Sequence, residues 1–246
     1  MVAAYEFGVM LVKKHFPQHK NKIIHLRDIN TENLGISEKE IYEILMAVPL
    51  FLPSDKLFEE IPAEFHEKVK KIISSHELPE SYNVRSALLY GICECERSKV
   101  CAEILKNGKI AEFAELMNIS HDGDRVSITT ENGLVDFDYL TTDEKLSDLI
   151  EKSEKGDKSA ALWRQGGGYA CSIPGIDSLI DSILKEKGVL SAQISGAGLG
   201  GCIMIFCEKA FENDILEFLN ETYYKPNNFE NGALIVKPIK GSMCLD

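Results

Sequence analysis

Apolar residues at helical spacing dominate the first half of the chain. Tyr5, Val9, Val12 and Phe16 predict a first helix, which Pro17 stops. No capping residue precedes it. Ser37 followed three positions on by Glu40 has the spacing of a capping box and predicts a short helix over Glu38 to Ala47, after which Pro49 and Pro53 break the chain. Phe65, Val69, Ile72 and Ile73 share one face of a helix expected from Phe58 to Ser75. Leu78-Pro79-Glu80-Ser81 reads as a helix start. A long helical pattern then runs from Tyr82 to Lys106, with Gly108 as its stop. Glu96 and Arg97 are expected on its solvated face. Ile110 to Met117 predicts one more short helix, with His121 just beyond its end as a capping or loop histidine.

The period changes in the second half. Val126 to Asp138 alternates around Asn132-Gly133 and predicts a hairpin. A helix is expected over Asp143 to Lys152, followed by an exposed, mobile polar segment from Ser153 to Ser159. Leu162 to Tyr169 holds a first cluster of glycines, expected to be a flexible approach to the next helix. Ser172 is the expected N-cap of that helix, with Pro174 in its first turn. Ile176, Leu179, Ile180, Ile183 and Leu184 give the helix one apolar face, and Gly188 is its expected end. Strands are expected at Leu190 to Ile194, Cys202 to Cys207 and Gly232 to Val236, with a helix carrying Phe211, Ile215, Phe218 and Leu219 before the last. The order predicts an α+β fold with a mostly antiparallel sheet packed against helices.

The stretch Ser195-Gly196-Ala197-Gly198-Leu199-Gly200-Gly201-Cys202 stands out, with four glycines in six residues between two apolar runs. Glycine reaches conformations that strain other residues and lets a ligand come close. Consecutive free N–H groups in such a loop form a concave anion site. A Rossmann fingerprint or a P-loop would open a helix here, and a P-loop would also need Gly-Lys-Ser/Thr. Neither fits the buried strand expected at Cys202 to Cys207, so the stretch is a glycine loop between strands. The candidate binding residues are Ser195, Gly196, Ala197, Gly198, Gly200 and Gly201. A tight connection with no ligand is the alternative for the loop taken alone.

The same stretch resembles the third signature motif of the GHMP small-molecule kinases, and the galactokinases among them most. Three further segments share that resemblance. One is Leu78-Pro79-Glu80 leading into a long helix with Glu96-Arg97 and Val100. The second is the Met117-Asn118-Ile119-Ser120-His121 turn. The third is Tyr169-Ala170-Cys171-Ser172-Ile173-Pro174. The resemblance implies a ferredoxin-like C-terminal kinase domain over residues 1–246, with residues 122–168 as a hairpin-bearing insertion. It also implies phosphoryl transfer from ATP, with Mg2+, to the anomeric hydroxyl of galactose or a related sugar. In that family the main nucleotide loop, the catalytic aspartate and most sugar contacts lie in the N-terminal half. The chain contains no Gly-Leu-Ser-Ser-Ser, no early Gly-Glu-His and no Met-Asp-Gln. The resemblance therefore covers a C-terminal portion only, and implies a missing N-terminal half, ATP and Mg2+ sites mainly outside the chain, no catalytic residue within it, and no activity alone. The uncapped first helix suggests a piece of a longer chain rather than a natural truncation. Two alternatives carry different functions: a non-catalytic sugar- or nucleotide-binding regulator derived from such a kinase, and a structural or dimerisation domain. A mevalonate- or homoserine-type kinase is the second substrate class.

Composition narrows the partners. Of 246 residues, 39 are acidic and 27 are Lys or Arg, a formal net charge of −12. That balance opposes non-specific binding to nucleic acid or anionic membrane, so a phosphate site must come from local N–H groups or a metal ion. No stretch approaches the roughly 18 apolar residues of a membrane span, and the first residues lack a signal-peptide layout. The cysteines number seven, with Cys93, Cys95, Cys101, Cys202 and Cys207 in apolar runs. They are expected to be reduced thiols of a cytoplasmic protein. With no Cys-x-x-Cys pair and no histidine cluster, no metal site is expected.

Overall fold

A computed structural model describes residues 2–196 and 201–237. Helix α1 spans Val2–His15, and α2 (Thr31–Leu34) and α3 (Glu38–Met46) follow. The capping box at α3 is present: Ser37 Oγ accepts from Glu40 N at 3.3 Å, and Ser37 N donates to Glu40 Oε2 at 2.7 Å. Strand β1 (Phe51–Pro53) leads to α4 (Leu57–Glu60) and α5 (His66–Ile73). The single helix expected over Phe58 to Ser75 is thus two. Pro62 has no N–H to donate and holds Ile61 extended, at ψ 132°, so the helix breaks there.

Strand β2 (Ser81–Asn83) pairs antiparallel with β1, Leu52 opposite Tyr82. The expected helix start at Leu78 to Ser81 is therefore a strand entry. Helix α6 (Val84–Lys106) begins only after Asn83, whose side chain accepts from Ser86 N at 3.3 Å. Gly108, at φ +67°, ends it in the left-handed region as expected. Helix α7 runs from Ile110 to Asp124, beyond the expected end at Met117, so the Met-Asn-x-Ser-His segment is helix and not a turn. The predicted hairpin forms from β3 (Ser127–Thr130) and β4 (Gly133–Asp136), and Thr130 opposite Gly133 leaves Glu131 and Asn132 as its loop. Helix α8 (Asp143–Glu154) follows.

Helix α9 (Pro174–Ile183) packs on the antiparallel pair β5 (Val189–Ser195) and β6 (Cys202–Cys207), and α10 (Glu212–Leu219) covers the same core. The N-cap of α9 is Ile173, not Ser172, and the buried Ser172 hydroxyl has no partner among the described residues. Gly188, at φ +84°, turns the chain into β5 rather than ending α9. Residues 232–236 pair with no strand among the described residues. Leu234 and Val236 there are 84% and 82% exposed, so apolar content alone did not make a strand.

The architecture is α+β, and the strands among the described residues form three antiparallel pairs. Two cores organise it. The larger surrounds Phe7, Leu11, Tyr42, Leu45, Leu88 and Ile92, each at most 1% exposed. The smaller joins Ile180, Ile183, Ala192, Ile194, Ile215 and Leu219. No helix among the described residues is long and apolar enough to cross a membrane.

Candidate functional site

The glycine stretch closes the β5–β6 hairpin. Ser195 sits opposite Cys202, and β6 follows the loop directly, so the stretch links two strands rather than opening a helix. Gly196 takes φ +95°, and a Cβ built there meets nothing among the described residues within 4 Å. Its glycine requirement is conformational and not one of space. Gly196 and Gly201 are exposed and Ser195 is half-buried at one end of the hairpin. Of the other predicted binding residues, Ala197, Gly198 and Gly200 lie outside the described residues.

Helix α7 holds this hairpin from behind. Asn118 Oδ1 accepts from Ala192 N at 3.3 Å, and Ser191 Oγ donates to Met117 Sδ at 3.2 Å. Phe113 meets Phe206 edge to face at 5.7 Å between centroids. The sequence motif at 117–121 therefore works as one helix face that grips β5, with His121 one turn further on.

His121 is buried, 1% exposed, and its Nε2 lies 3.5 Å from Asp177 Oδ1. Burial pushes its pKa down to about 4; Arg125 adds to the shift while Asp177 and Asp181 oppose it. The imidazole is therefore neutral near pH 7. Asp177 Oδ2 accepts from Val126 N at 3.0 Å, Ser127 N at 2.9 Å and Ser127 Oγ at 3.1 Å. Asp181, one turn along α9, takes Arg125 Nη1 at 2.6 Å and Thr129 N at 2.6 Å. Two carboxylates of α9 thus fasten the β3 strand. His121 is a packed helix residue here, not the loop or capping histidine expected. The signal in the sequence was a carboxylate three positions before Ile180, inside the apolar stripe of α9.

The first glycine cluster is packed, against expectation. Gly168 N donates to Ser86 O at 2.9 Å, and Tyr169 N and Ala170 N donate to Gly123 O at 2.7 and 3.1 Å. Tyr169 stacks between Tyr5 and Tyr90, with centroids 5.0 and 5.2 Å apart. Ala170 is held at φ +53°, a conformation that costs a non-glycine residue strain. Arg97 explains part of this order. It is 3% exposed rather than solvated, and its guanidinium donates to Trp163 O at 2.6 Å and Gln165 O at 3.0 Å while pairing with Glu94. A cation whose charge is met by a carboxylate and two carbonyls can leave the solvent. Beneath the stack, Asp124 accepts from Tyr90 OH at 3.0 Å and from the Cys171 thiol at 3.1 Å. Burial raises its pKa to about 6, against the lowering effect of those two hydrogen bonds.

Asp124 and His121 act on stability with opposite signs. A carboxyl whose pKa rises on folding adds stability below its ordinary value that is lost as pH rises to about 6. A histidine whose pKa falls on folding loses stability as pH drops from its ordinary value toward about 4. Each shift of about two units corresponds to roughly 3 kcal/mol, so between pH 4 and 6.5 the two nearly cancel. Asp124→Asn removes one side of that balance. Its stability relative to the native chain should fall by about 2–3 kcal/mol on going from pH 6.5 to pH 4, measured by urea unfolding. A pH-independent difference would refute the shift at Asp124.

One cleft of about 460 Å³ and another of about 370 Å³ open among the described residues. The larger lies beside β1 and Arg85, and the smaller lies between α8 and the Gly166–Gly167 segment. Ser195, Gly196 and Gly201 line neither.

Residues 140–225 match the family described as GHMP kinases C terminal. The match contains α8, α9, the β5–β6 hairpin and α10, and it begins inside the stretch 122–168. The chain is similar to the galactokinase of Fusobacterium nucleatum, 26% identical over 175 residues, covering 71% of this chain and 33% of the relative. A galactokinase of Lacticaseibacillus casei is 26% identical over 188 residues, covering 68% of this chain and 44% of that protein. One of Clostridium perfringens is 23% identical over 204 residues, covering 83% and 40%. The chain thus spans between about a third and under a half of the length of the relatives it matches.

Proposed function

We propose that this chain is the C-terminal part of an ATP-dependent sugar kinase that phosphorylates the anomeric hydroxyl of galactose or a close relative. One observation carries the reading: a strand–glycine loop–strand unit at Ser195 to Cys202, gripped from behind by α7, within a domain that matches the GHMP kinases. Backbone amides of Ser195 to Gly201 approach the transferring phosphate or brace the nucleotide loop, which suits a protein with no basic field of its own. ATP and Mg2+ are held mainly by an N-terminal half that also supplies the catalytic aspartate, so this chain alone transfers no phosphate. The six cysteines among the described residues are free thiols, as a cytoplasmic setting would keep them.

The test is galactose-dependent ADP release by the complete protein, with the chain alone as control. Gly196→Val forces a β-branched side chain into φ +95° with open space around it, so the domain should stay folded while kcat drops about 100-fold. Normal turnover in that variant, or no transfer to any hexose by the complete protein, would reject the proposal.

A further inference from the structure

The smaller cleft, about 370 Å³, shares no described residue with the glycine loop. Its size is at the lower end of small-ligand sites, which run from roughly 300 to 1,000 Å³. One wall is a single face of α8, where Lys145, Asp148, Leu149 and Lys152 repeat at helical spacing. The opposite wall is Asp122, the Phe137–Thr141 segment and Gly166–Gly167, and Leu89 lies between them.

The charges decide the ligand class. Lys145 Nζ already pairs with Asp138 at 2.9 Å, and Lys152 Nζ with Asp148 at 2.6 Å. Asp122 is held by Arg125 Nε at 3.2 Å. No ammonium here is left to trap an anion, because each has a carboxylate beside it. What remains is a dense set of donors and acceptors. Gln165 Nε2 is fixed by Ser159 O at 2.7 Å and Ala161 O at 3.0 Å, which leaves its Oε1 as an acceptor with no protein partner among the described residues. The Gly166 and Gly167 amides likewise have none among the described residues. Phe137, Tyr139, Leu89 and Leu149 add apolar and aromatic surface.

Mixed acceptors and donors beside aromatic carbon match a molecule whose hydroxyls both donate and accept and whose ring has an apolar C–H face. We infer that the cleft between α8 and the Gly166–Gly167 segment binds a neutral polyhydroxylated molecule of monosaccharide size. The lining residues named all belong to this chain, and the inference does not rest on the kinase reading.

The experiment is an NMR titration of the full chain with D-galactose, with myo-inositol, and with inorganic phosphate. Saturable binding of one or both polyols is expected, with shift changes at the Gly166, Gly167 and Tyr139 amides. Asp148→Asn and Lys152→Met change exposed side chains, so folding is preserved. Each should weaken binding about fivefold, the loss of one hydrogen bond. Three outcomes would overturn the inference: no saturation by either polyol, phosphate bound in their place, or unchanged affinity in both variants. Kinase failure of the complete protein would leave this test untouched.

Discussion

Gly167→Ala should destabilise the chain by about 3–5 kcal/mol and lower its melting temperature by ten degrees or more, on the order expected for strain plus overpacking. Two independent costs meet at this position. The backbone is at φ +67°, where a side chain is strained. An added Cβ would also lie 2.3 Å from Tyr90 N and 2.6 Å from Tyr90 Cα. Both are backbone atoms inside α6, and a 23-residue helix cannot step aside as a flexible side chain would. Relief requires lifting the whole Gly166–Tyr169 segment, which breaks the Gly168–Ser86 hydrogen bond and the tyrosine stack. Gly156→Ala is the control. It has a similar φ, +69°, but nothing within 4 Å of its Cβ, so it should cost only about 1 kcal/mol. Equal losses in the two variants would show that the close approach to α6 contributes nothing.

Asp177→Ala is expected to cost about 3–5 kcal/mol, because it strips the acceptor from three buried donors at once. Asp177 is fully buried, and its Oδ2 serves Val126 N, Ser127 N and Ser127 Oγ. Ser127 is itself 3% exposed, so bulk water does not readily replace those bonds. Asp177→Asn keeps one carboxamide oxygen as acceptor and can donate to His121, whose ring nitrogens are unpartnered among the described residues. It should lose only about 1–2 kcal/mol. Hydrogen exchange gives the local readout: the Val126, Ser127 and Thr129 amides should lose protection in Asp177→Ala while the α1–α6 core keeps it. Retention of native protection at Ser127 would reject Asp177 as the anchor of the hairpin.

Much of the candidate site was legible in the order of residues. Cys202 to Cys207 is apolar, short and followed by charge, and it forms a strand with those bounds, half-exposed rather than buried because α9 and α10 cover only one face of the hairpin. That strand alone excluded a Rossmann or P-loop reading, since both need a helix after the glycines. The capping box at Ser37, the Asn132-Gly133 hairpin and the Gly108 stop are local features, and each formed. The family matched over residues 140–225 is the one whose motif the glycine stretch resembles.

The errors share one cause. Ser81 looked like a helix start, yet it pairs in β2 because β1, some thirty positions earlier, lies alongside it. Residues 232–236 have strand-like composition but no partner strand among the described residues. Arg97, a charged helix residue, was expected in solvent, and is buried because Trp163 and Gln165 bring carbonyls to it. The glycines at 166–168 looked like slack and are instead points of closest approach to α6 and α7.

The sequence by itself determined the glycine-rich link between two strands, several helix bounds, and the acidic balance of the chain. Those depend on neighbours a few residues apart, where periodicity, capping and turn chemistry act directly. Only the tertiary structure decided that α7 grips β5, that Asp177 and Asp181 fasten the β3–β4 hairpin, and that Asp124 is buried beneath a stack of three tyrosines. Those outcomes depend on which distant segment removes water from a polar group and supplies its partner, and that is set by packing across the whole chain.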